Sequence, residues 1–504
     1  MKKHVITWAL AFSLVLVGYG TASATVADIF GVGGKAVAMG GAFTAVADDF
    51  SATWYNPAGL TQASSIQLSA GILFVNYNLK IDGHPRPIES LGGAYVGLVI
   101  PLFHGRGALG VWGYYPQNLL QDNQFINPAE PQFGFVEQGG RIFDLSPALA
   151  FDINDKLTIG VGVRLLSDQE TTLNLFLPIA FTGAGVGGNG DLLPVGTGEL
   201  KASADNRISP NFGILWRPYE NLKIGATYRW HTRQRFEIDN NTSTATVSSN
   251  NICSPLFPAC VPGSISTLLN QDAALIGQFI GSQFFSPDQF AIGVAYEPSP
   301  RLTLSADLVW ENWSEAVDNR VEGKNFEDFN FVLGANTPLR PGFRRFINTK
   351  VDDIWIPRVG FEWRPKTKKG PLGPVDFQIR GGYAFRNSPF ENNQRGSLNL
   401  LTEINSNGSK ALAVLRSTGT NFVDADRHIV SFGLGMTIDD PIGWAEKWQF
   451  DFWWQEQILS TKNFDNQAIV TGIAGQPGEF TEFGTNLEVD GNISAAGAFF
   501  TAKF

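Results

Sequence analysis

The chain has 504 residues, a net charge of −10, only 17% charged residues, 55 Gly, and 39 Phe, 13 Trp and 10 Tyr. So few charges and so many aromatics exclude a disordered chain, and a pI near 5.1 excludes the basic face of a nucleic-acid binder. A mean hydropathy of −0.03, with no apolar run of helix-spanning length beyond the N-terminus, excludes a bundle of membrane helices. Two classes remain, a soluble all-β protein and a transmembrane β-barrel.

Residues 1–24 read as a secretory signal peptide. Lys2, Lys3 and His4 are the basic start, 5–17 the short apolar core, and Ala22-Ser23-Ala24 the small-residue cleavage site. The apolar run is too short for a membrane anchor, which needs roughly 20 residues. The mature chain is expected to begin near Thr25, and with no Cys after the cleavage site no lipoprotein anchor is expected.

Beyond residue 63 the dominant signal has period two. In 301–310, Leu302, Leu304, Ala306, Leu308 and Trp310 alternate with Thr303, Ser305, Asp307 and Val309. In 429–438, Val430, Phe432, Leu434, Met436 and Ile438 alternate with Ser431, Gly433, Gly435 and Thr437. A strand sends successive side chains to opposite faces, so each segment has one apolar and one polar or small face. The pattern predicts an all-β fold of fourteen strands, at 65–82, 88–102, 106–115, 138–152, 156–174, 199–217, 221–238, 288–298, 301–318, 354–365, 374–386, 427–439, 447–461 and 492–504. The connections alternate between tight turns and long loops, apart from a short one at 83–87. That parity is expected of an outer-membrane barrel with periplasmic turns and extracellular loops, and a β-sandwich has no reason to show it. Trp216, Trp230, Trp310, Trp313, Trp355, Trp363, Trp444, Trp448, Trp453 and Trp454 fall at or near strand ends, where interfacial girdles are expected.

Residues 25–63 are rich in small residues and not strongly β. Asp48–Trp54 reads as a helical turn stopped by Asn56-Pro57, because the residue before proline avoids the helical region. A segment of this kind ahead of a wide barrel is expected to plug it, giving a signal peptide at 1–24, a hatch at 25–63 and a transmembrane β-barrel at 64–504. The stretch from Met39 to Leu60, MGGAFTAVADDFSATWYNPAGL, resembles the N-terminal hatch of the FadL/TodX family of outer-membrane transporters for long-chain fatty acids and aromatic hydrocarbons. Its Asn56-Pro57-Ala58 element is that family's hallmark. The terminal strand ending in Phe504 resembles the signal read by the barrel-assembly machinery. The resemblance implies a monomeric fourteen-stranded antiparallel transmembrane β-barrel in the bacterial outer membrane, bounded by outer-membrane lipid. It also implies passive uptake of hydrophobic small molecules, with lateral exit at a kink in the third strand, where Gly107, Gly110 and Gly113 would permit one.

Long-chain fatty acids are the first expected substrate, and aromatic or alkane hydrocarbons the alternative. Asn56, Pro57, Ala58, Asp48 and Asp49 are the expected hatch and gating residues, with Asn56 anchoring by side-chain hydrogen bonds and Pro57 fixing the turn. In the longest loop Ile265, Leu268, Leu269, Ile276, Phe279, Ile280 and Phe284 have helical spacing. They predict an apolar loop helix, either a capture groove or a cap over the barrel, with Leu119, Leu120, Phe125, Phe133 and Phe135 as a facing wall. In lumen phase Arg229, His231, Arg233 and Arg235 form a ladder, and Arg164 and Arg380 also point inward. They either hold a carboxylate head, costly to bury unpaired, or pair with the acids Asp307, Glu311, Glu362 and Asp451 or the hatch's Asp48 and Asp49. Cys253 and Cys260 read as a disulfide clip on a loop. No catalytic motif, cofactor loop or metal motif is present, so neither an enzyme nor a cofactor, metal or nucleic-acid partner is expected. Rival readings are a general porin, which predicts high conductance, and a structural or adhesive surface barrel, which predicts no saturable uptake.

Overall fold

The computed structural model describes residues 25–504 apart from 87, 89, 117–122, 125–131, 134–142, 167–168, 181–191, 205–206, 240–242, 248–271, 277, 316–329, 334–337, 344–350, 371–372, 391–397, 407–408, 418–421, 441, 465–469, 472–478 and 481–486. Fourteen wall strands follow one another around a closed antiparallel barrel. They are β1 (Gln67–Ile81), β2 (Leu91–Leu102), β3 (Gly107–Pro116), β4 (Asp144–Asn154), β5 (Leu157–Leu166), β6 (Arg207–Tyr219), β7 (Leu222–Arg229), β8 (Asp288–Ser299), β9 (Leu302–Asn312), β10 (Ile354–Trp363), β11 (Gly373–Arg386), β12 (Arg427–Asp439), β13 (Lys447–Phe464) and β14 (Leu487–Lys503). β1 closes the ring on β14 in one unbroken register from Gln67↔Lys503 to Ile81↔Val489. Closure leaves the wall no free edge, the condition for crossing a bilayer with strands.

The wall is apolar outside and mixed inside. Outward positions such as Phe74, Phe212 and Phe432 are 55%, 49% and 45% exposed, while their inward neighbours Leu73, Asn211 and Ser431 are buried. A continuous exposed apolar band around a barrel is a lipid-facing surface. Trp216 and Trp363 at the short-turn end, and Trp230 and Trp355 at the other, are outward and exposed, as girdle residues should be. Trp313 and Trp453 are not girdle residues. Trp313 is 0% exposed beside Arg386, and Trp453 is buried on the inner face. Proximity to a strand end does not fix which face a ring takes; phase does.

Several expected strands run on past the wall. The stretch 156–174 resolves into β5 and a second strand, Gln169–Ala180, which pairs with Leu192–Ala204. The stretch 221–238 breaks at Trp230-His231 into β7 and Thr232–Asp239, and the latter pairs with Gln278–Ser286. The loop helix is a correction. Ile276 ends a strand, Asp272–Ile276, and Phe279 and Ile280 lie in the strand Gln278–Ser286. The three-to-four spacing there coexists with a β-branched and aromatic run that pairs in a ladder, so pairing overrides the helical period. Leu268, Leu269, Cys253, Cys260 and the signal peptide lie outside the described residues. The kink that the resemblance implies in the third strand does not show as a break in pairing. β3 pairs without interruption with β2, from Gly93↔Pro116 to Leu102↔Gly107, and with β4, from Gly107↔Phe151 to Tyr114↔Asp144. Between β4 and β5, by contrast, the pairing skips Ser146 and Pro147, and proline has no N–H to give.

Candidate functional site: the plugged lumen

Thr25–Ala63 fills the lumen, and none of its residues is exposed. It is built from α1 (Val26–Phe30), α2 (Gly34–Ala38), α3 (Ala52–Tyr55) and a 3-10 turn, Pro57–Gln62. Thr25 caps α1 in a reciprocal box with Asp28. α3 ends at Asn56, whose extended backbone (φ −163°, ψ 103°) is what the following proline demands.

Asn56 is fully buried and uses its whole side chain. Its Nδ2 donates to the carbonyls of Thr44 (2.8 Å) and Ile214 (3.0 Å), and its Oδ1 accepts from Ala58 N (3.1 Å). One amide thus ties together two hatch turns and β6. Pro57 opens the 3-10 turn, where its missing N–H costs nothing. The wall beneath is cut to fit: a Cβ on Gly213 would lie 2.1 Å from Asn56 Oδ1, and one on Gly160 would lie 2.3 Å from Ala58 N. Gly160 and Gly213 are register partners on β5 and β6. Gly225 makes the same allowance for Thr44 O, and Gly360 and Gly382 for Met39. Inward strand glycines mark where another backbone approaches closely.

The other attachments are ionic. Arg164 donates to Asp144 (2.8 Å) and to Thr25 Oγ1 (2.6 Å), and its guanidinium lies 3.6 Å from Asp28. Arg229 donates to the Trp54 carbonyl (2.7 Å), stacks 3.4 Å from the centroid of that ring and lies 3.9 Å from Asp28. Burial works to raise the Asp28 carboxyl, but Arg164 and Arg229 outweigh it and hold it below its ordinary value. At the short-turn end Lys35 pairs with Asp48 (2.7 Å) and Glu362 (3.6 Å), and Glu362 pairs with Arg380 (2.7 Å), which also binds Asp451. Burial would lower Lys35; Asp48 and Glu362 outweigh it and raise it. Burial likewise opposes the ionised Asp48, and Lys35 keeps it low. Asp49, half-buried with Asp48 beside it, is pushed up to about 6 by burial first and that like charge second, while it accepts from Ser51 N (2.8 Å). The carboxylate of Asp307 accepts from the amides of Phe43 and Thr44, both at 2.8 Å.

The arginine ladder is therefore dismantled. Arg229 belongs to the hatch attachment, and its acid is Asp28 rather than Asp48 or Asp49. His231, past the break, pairs with Asp288 at 3.1 Å. Arg233 lies on the separate strand Thr232–Asp239. The alternative expectation, lumen cations paired with lumen acids, holds for Arg380 with Glu362 and Asp451, and for Arg386 with Glu311 (2.9 Å). Phe133 is fully buried beside a two-residue pairing with Phe422–Val423. Leu119, Leu120, Phe125 and Phe135 lie outside the described residues. Trp54, whose flanks carry two guanidiniums, and Asp28 also belong to the site, and no motif in the sequence marks them.

One arc of the lumen has almost no charge. β1, β2, β3 and β14 present Leu73, Val75, Leu79, Tyr95, Val99, Trp112, Ile493 and Phe499, all buried. Hatch aromatics pack on it: Phe50 lies 5.7 Å from Phe499 and Trp54 lies 5.9 Å from Trp112. On the long-connection side of the hatch a cavity of about 50 Å³ is lined by Phe30, Trp54, Tyr55, Ile356, Arg358 and Gln455. That is room for a water or two, not for a solute path. The short-turn side opens on a polar pocket of about 240 Å³ among Lys35, Asp49, Glu362 and Lys503. The lumen is shut.

Residues 13–327 match the protein family described as outer membrane protein transport protein (OMPP1/FadL/TodX). Alkane uptake protein A of Marinobacter nauticus is 24% identical over 481 residues, covering 91% of this chain and 86% of that protein. A FadL homologue of Pseudomonas aeruginosa, solved by crystallography, superposes with a TM-score of 0.50 at 15% identity, covering 95% of this chain and 97% of the other.

Proposed function

Since this chain belongs to the OMPP1/FadL/TodX family of outer-membrane transport proteins, whose members carry hydrophobic substrates, we propose that it is a passive conduit for uncharged hydrocarbons of the alkane class. The observation that carries the choice is the commitment of the lumen guanidiniums. Arg164, Arg229 and Arg380 already hold the hatch and lumen acids, so a carboxylate entering near them would have to break buried pairs. A hydrocarbon needs no cation. It needs an apolar surface, and the arc of β1, β2, β3 and β14 is one. The name of the Marinobacter relative agrees with this reading.

Apolar contact has no direction, so the hatch can peel from that arc at the cost of the long bond from the Tyr95 hydroxyl to the Gly31 carbonyl (3.4 Å), and the entering chain reburies the same apolar surface at about 25 cal/mol per Å². Leaving the glycine seat would take the Asn56 amide from the Ile214 carbonyl and break the seat's polar contacts with β6. Asn56, Pro57 and Ala58 thus serve as the pivot of the movement, with Asp48 and Asp49 at its periplasmic edge. Lateral exit uses the skipped pairing at Ser146-Pro147, on the β4–β5 seam beside that pivot. The protein acts as a monomer, inserted by barrel-assembly machinery that reads the strand ending at Phe504.

Long-chain fatty acids are the second reading, and one residue favours them. Arg358 is half-exposed, lines the small cavity and donates to the carbonyl of Gly41 (3.3 Å) rather than to a carboxylate. The test is uptake of labelled n-hexadecane and of labelled oleate by a bacterium lacking its own fatty-acid porin, with surface expression verified. Saturable, protein-dependent hexadecane uptake that survives Arg358→Met supports the alkane reading. Oleate uptake alone, lost in Arg358→Met, supports the second. Uptake of neither solute by the folded barrel refutes both.

A further inference from the structure

The break after β7 brings together three side chains that can each offer a metal ligand. β7 stops at Arg229, and His231 turns out of the ladder: its amide donates to Asp288 Oδ1 (2.8 Å), and its Nδ1 lies 3.1 Å from Asp288 Oδ2. Glu315 ends the 3-10 turn Trp313–Glu315 that follows β9. One donor atom from each of His231, Asp288 and Glu315 lies within 4.8 Å of the others. The three come from separate parts of the chain, His231 and Asp288 being 57 residues apart, so no spacing motif announces them.

We propose that His231, Asp288 and Glu315 form a zinc-type divalent metal site at the extracellular rim of the barrel. An imidazole nitrogen with two carboxylates suits a borderline ion such as Zn²⁺, whereas Ca²⁺ and Mg²⁺ favour oxygen throughout. With metal–ligand bonds of about 2.0 Å, the edge of a tetrahedron is about 3.3 Å. The 3.1 Å between His231 Nδ1 and Asp288 Oδ2 is already close to such an edge. Glu315, on an exposed turn, supplies the third ligand by a side-chain adjustment of an ångström or so, roughly what closing to that edge requires. The site has an outer shell as well: the Tyr228 hydroxyl donates to Asp288 Oδ1 at 2.9 Å, orienting the carboxylate as metal-bound carboxylates commonly are. Asp288 shares the outward phase of Phe290 and Ile292, so the ion sits on the outside of the rim, apart from the lumen route. There it ties the end of β7 to the start of β8 and the turn after β9, three points where the wall passes into its long connections.

The test uses the full barrel in detergent, stripped with chelator, free of affinity tag and titrated with Zn²⁺ against a chromophoric competitor. One ion per barrel is expected, with X-ray absorption showing one imidazole nitrogen among the ligands. His231→Ala and Glu315→Gln should each weaken binding by at least about tenfold, and Tyr228→Phe by several-fold. Both main variants alter side chains that are not buried, and heat-modifiable gel migration confirms that each barrel is folded. The proposal is overturned if the folded parent binds no stoichiometric Zn²⁺, if His231→Ala binds as tightly as the parent, or if a hundredfold excess of Ca²⁺ displaces the ion.

Discussion

Two arcs of one lumen hold the hatch by different physics. The arc of β1, β2, β3 and β14 offers Leu73, Tyr95, Val99, Trp112 and Phe499, and the hatch meets it with aromatic rings. The remainder, from β4 through β13, offers glycine backbone, Asp307, Glu362, Arg380 and Asp451, and the hatch meets it with carbonyls, amides and charges. Contacts of the first kind exchange freely with any other apolar surface. Contacts of the second kind are costly to break unless remade. The difference assigns a sliding side and a fixed side to a plug that would otherwise look uniformly packed.

The most severe way to break the comparison is within the ionic arc. Arg380→Met takes the cation from buried Asp451 and one of three from buried Glu362, which keeps Lys35 and Arg364, and should destabilise the barrel by about 4 kcal/mol in urea unfolding. Asn56→Ala orphans the Thr44 carbonyl and the Ala58 amide and should cost about 3 kcal/mol, seen as faster hydrogen exchange across the 3-10 turn Pro57–Gln62 and as a raised single-channel conductance. On the sliding side, Phe50→Leu should cost only about 1 kcal/mol and speed alkane uptake about fivefold, because it weakens what the substrate displaces. The smallest effect is titration. The Asp49 carboxyl is held at about 6 in the seated hatch and near its ordinary value of 3.8 when released. The seated state therefore binds the proton more tightly, so seating weakens as pH rises from about 4 through about 6 and levels off above that. Asp49→Asn should flatten this slope in hydrogen exchange of residues 48–55, corrected for intrinsic rates, while the Lys35–Asp48 pair holds throughout that window.

The wall was legible because period two and connection parity are local properties: each of the fourteen wall strands overlaps its expected stretch, and seven of them run one to five residues past an end of it. The local structure at Asn56-Pro57 was legible because Asn-Pro dictates an extended residue followed by a turn. The arc division was not, since which inward faces lie side by side depends on closure of β1 on β14. The arginine ladder failed at Trp230-His231, where Trp230 N donates to the carbonyl of Pro210 and the chain leaves its phase. The loop helix failed because an apolar spacing of three and four inside a β-branched run serves either period.

The central claim is that the route opens on the apolar arc while the glycine seat stays fixed, and two cross-links separate these. In a Cys253→Ser/Cys260→Ser background, Phe50→Cys with Gly97→Cys joins the hatch to β2, where the Gly97 Cβ would lie 2.3 Å from the Phe50 ring. Thr61→Cys with Thr158→Cys joins it to β5, where the two hydroxyls are 3.5 Å apart. Uptake of labelled n-hexadecane is then measured oxidised and reduced, with cross-linking verified. The account predicts that the first bond blocks uptake until reductant is added and that the second leaves uptake intact. Undiminished uptake with the first bond closed would contradict it.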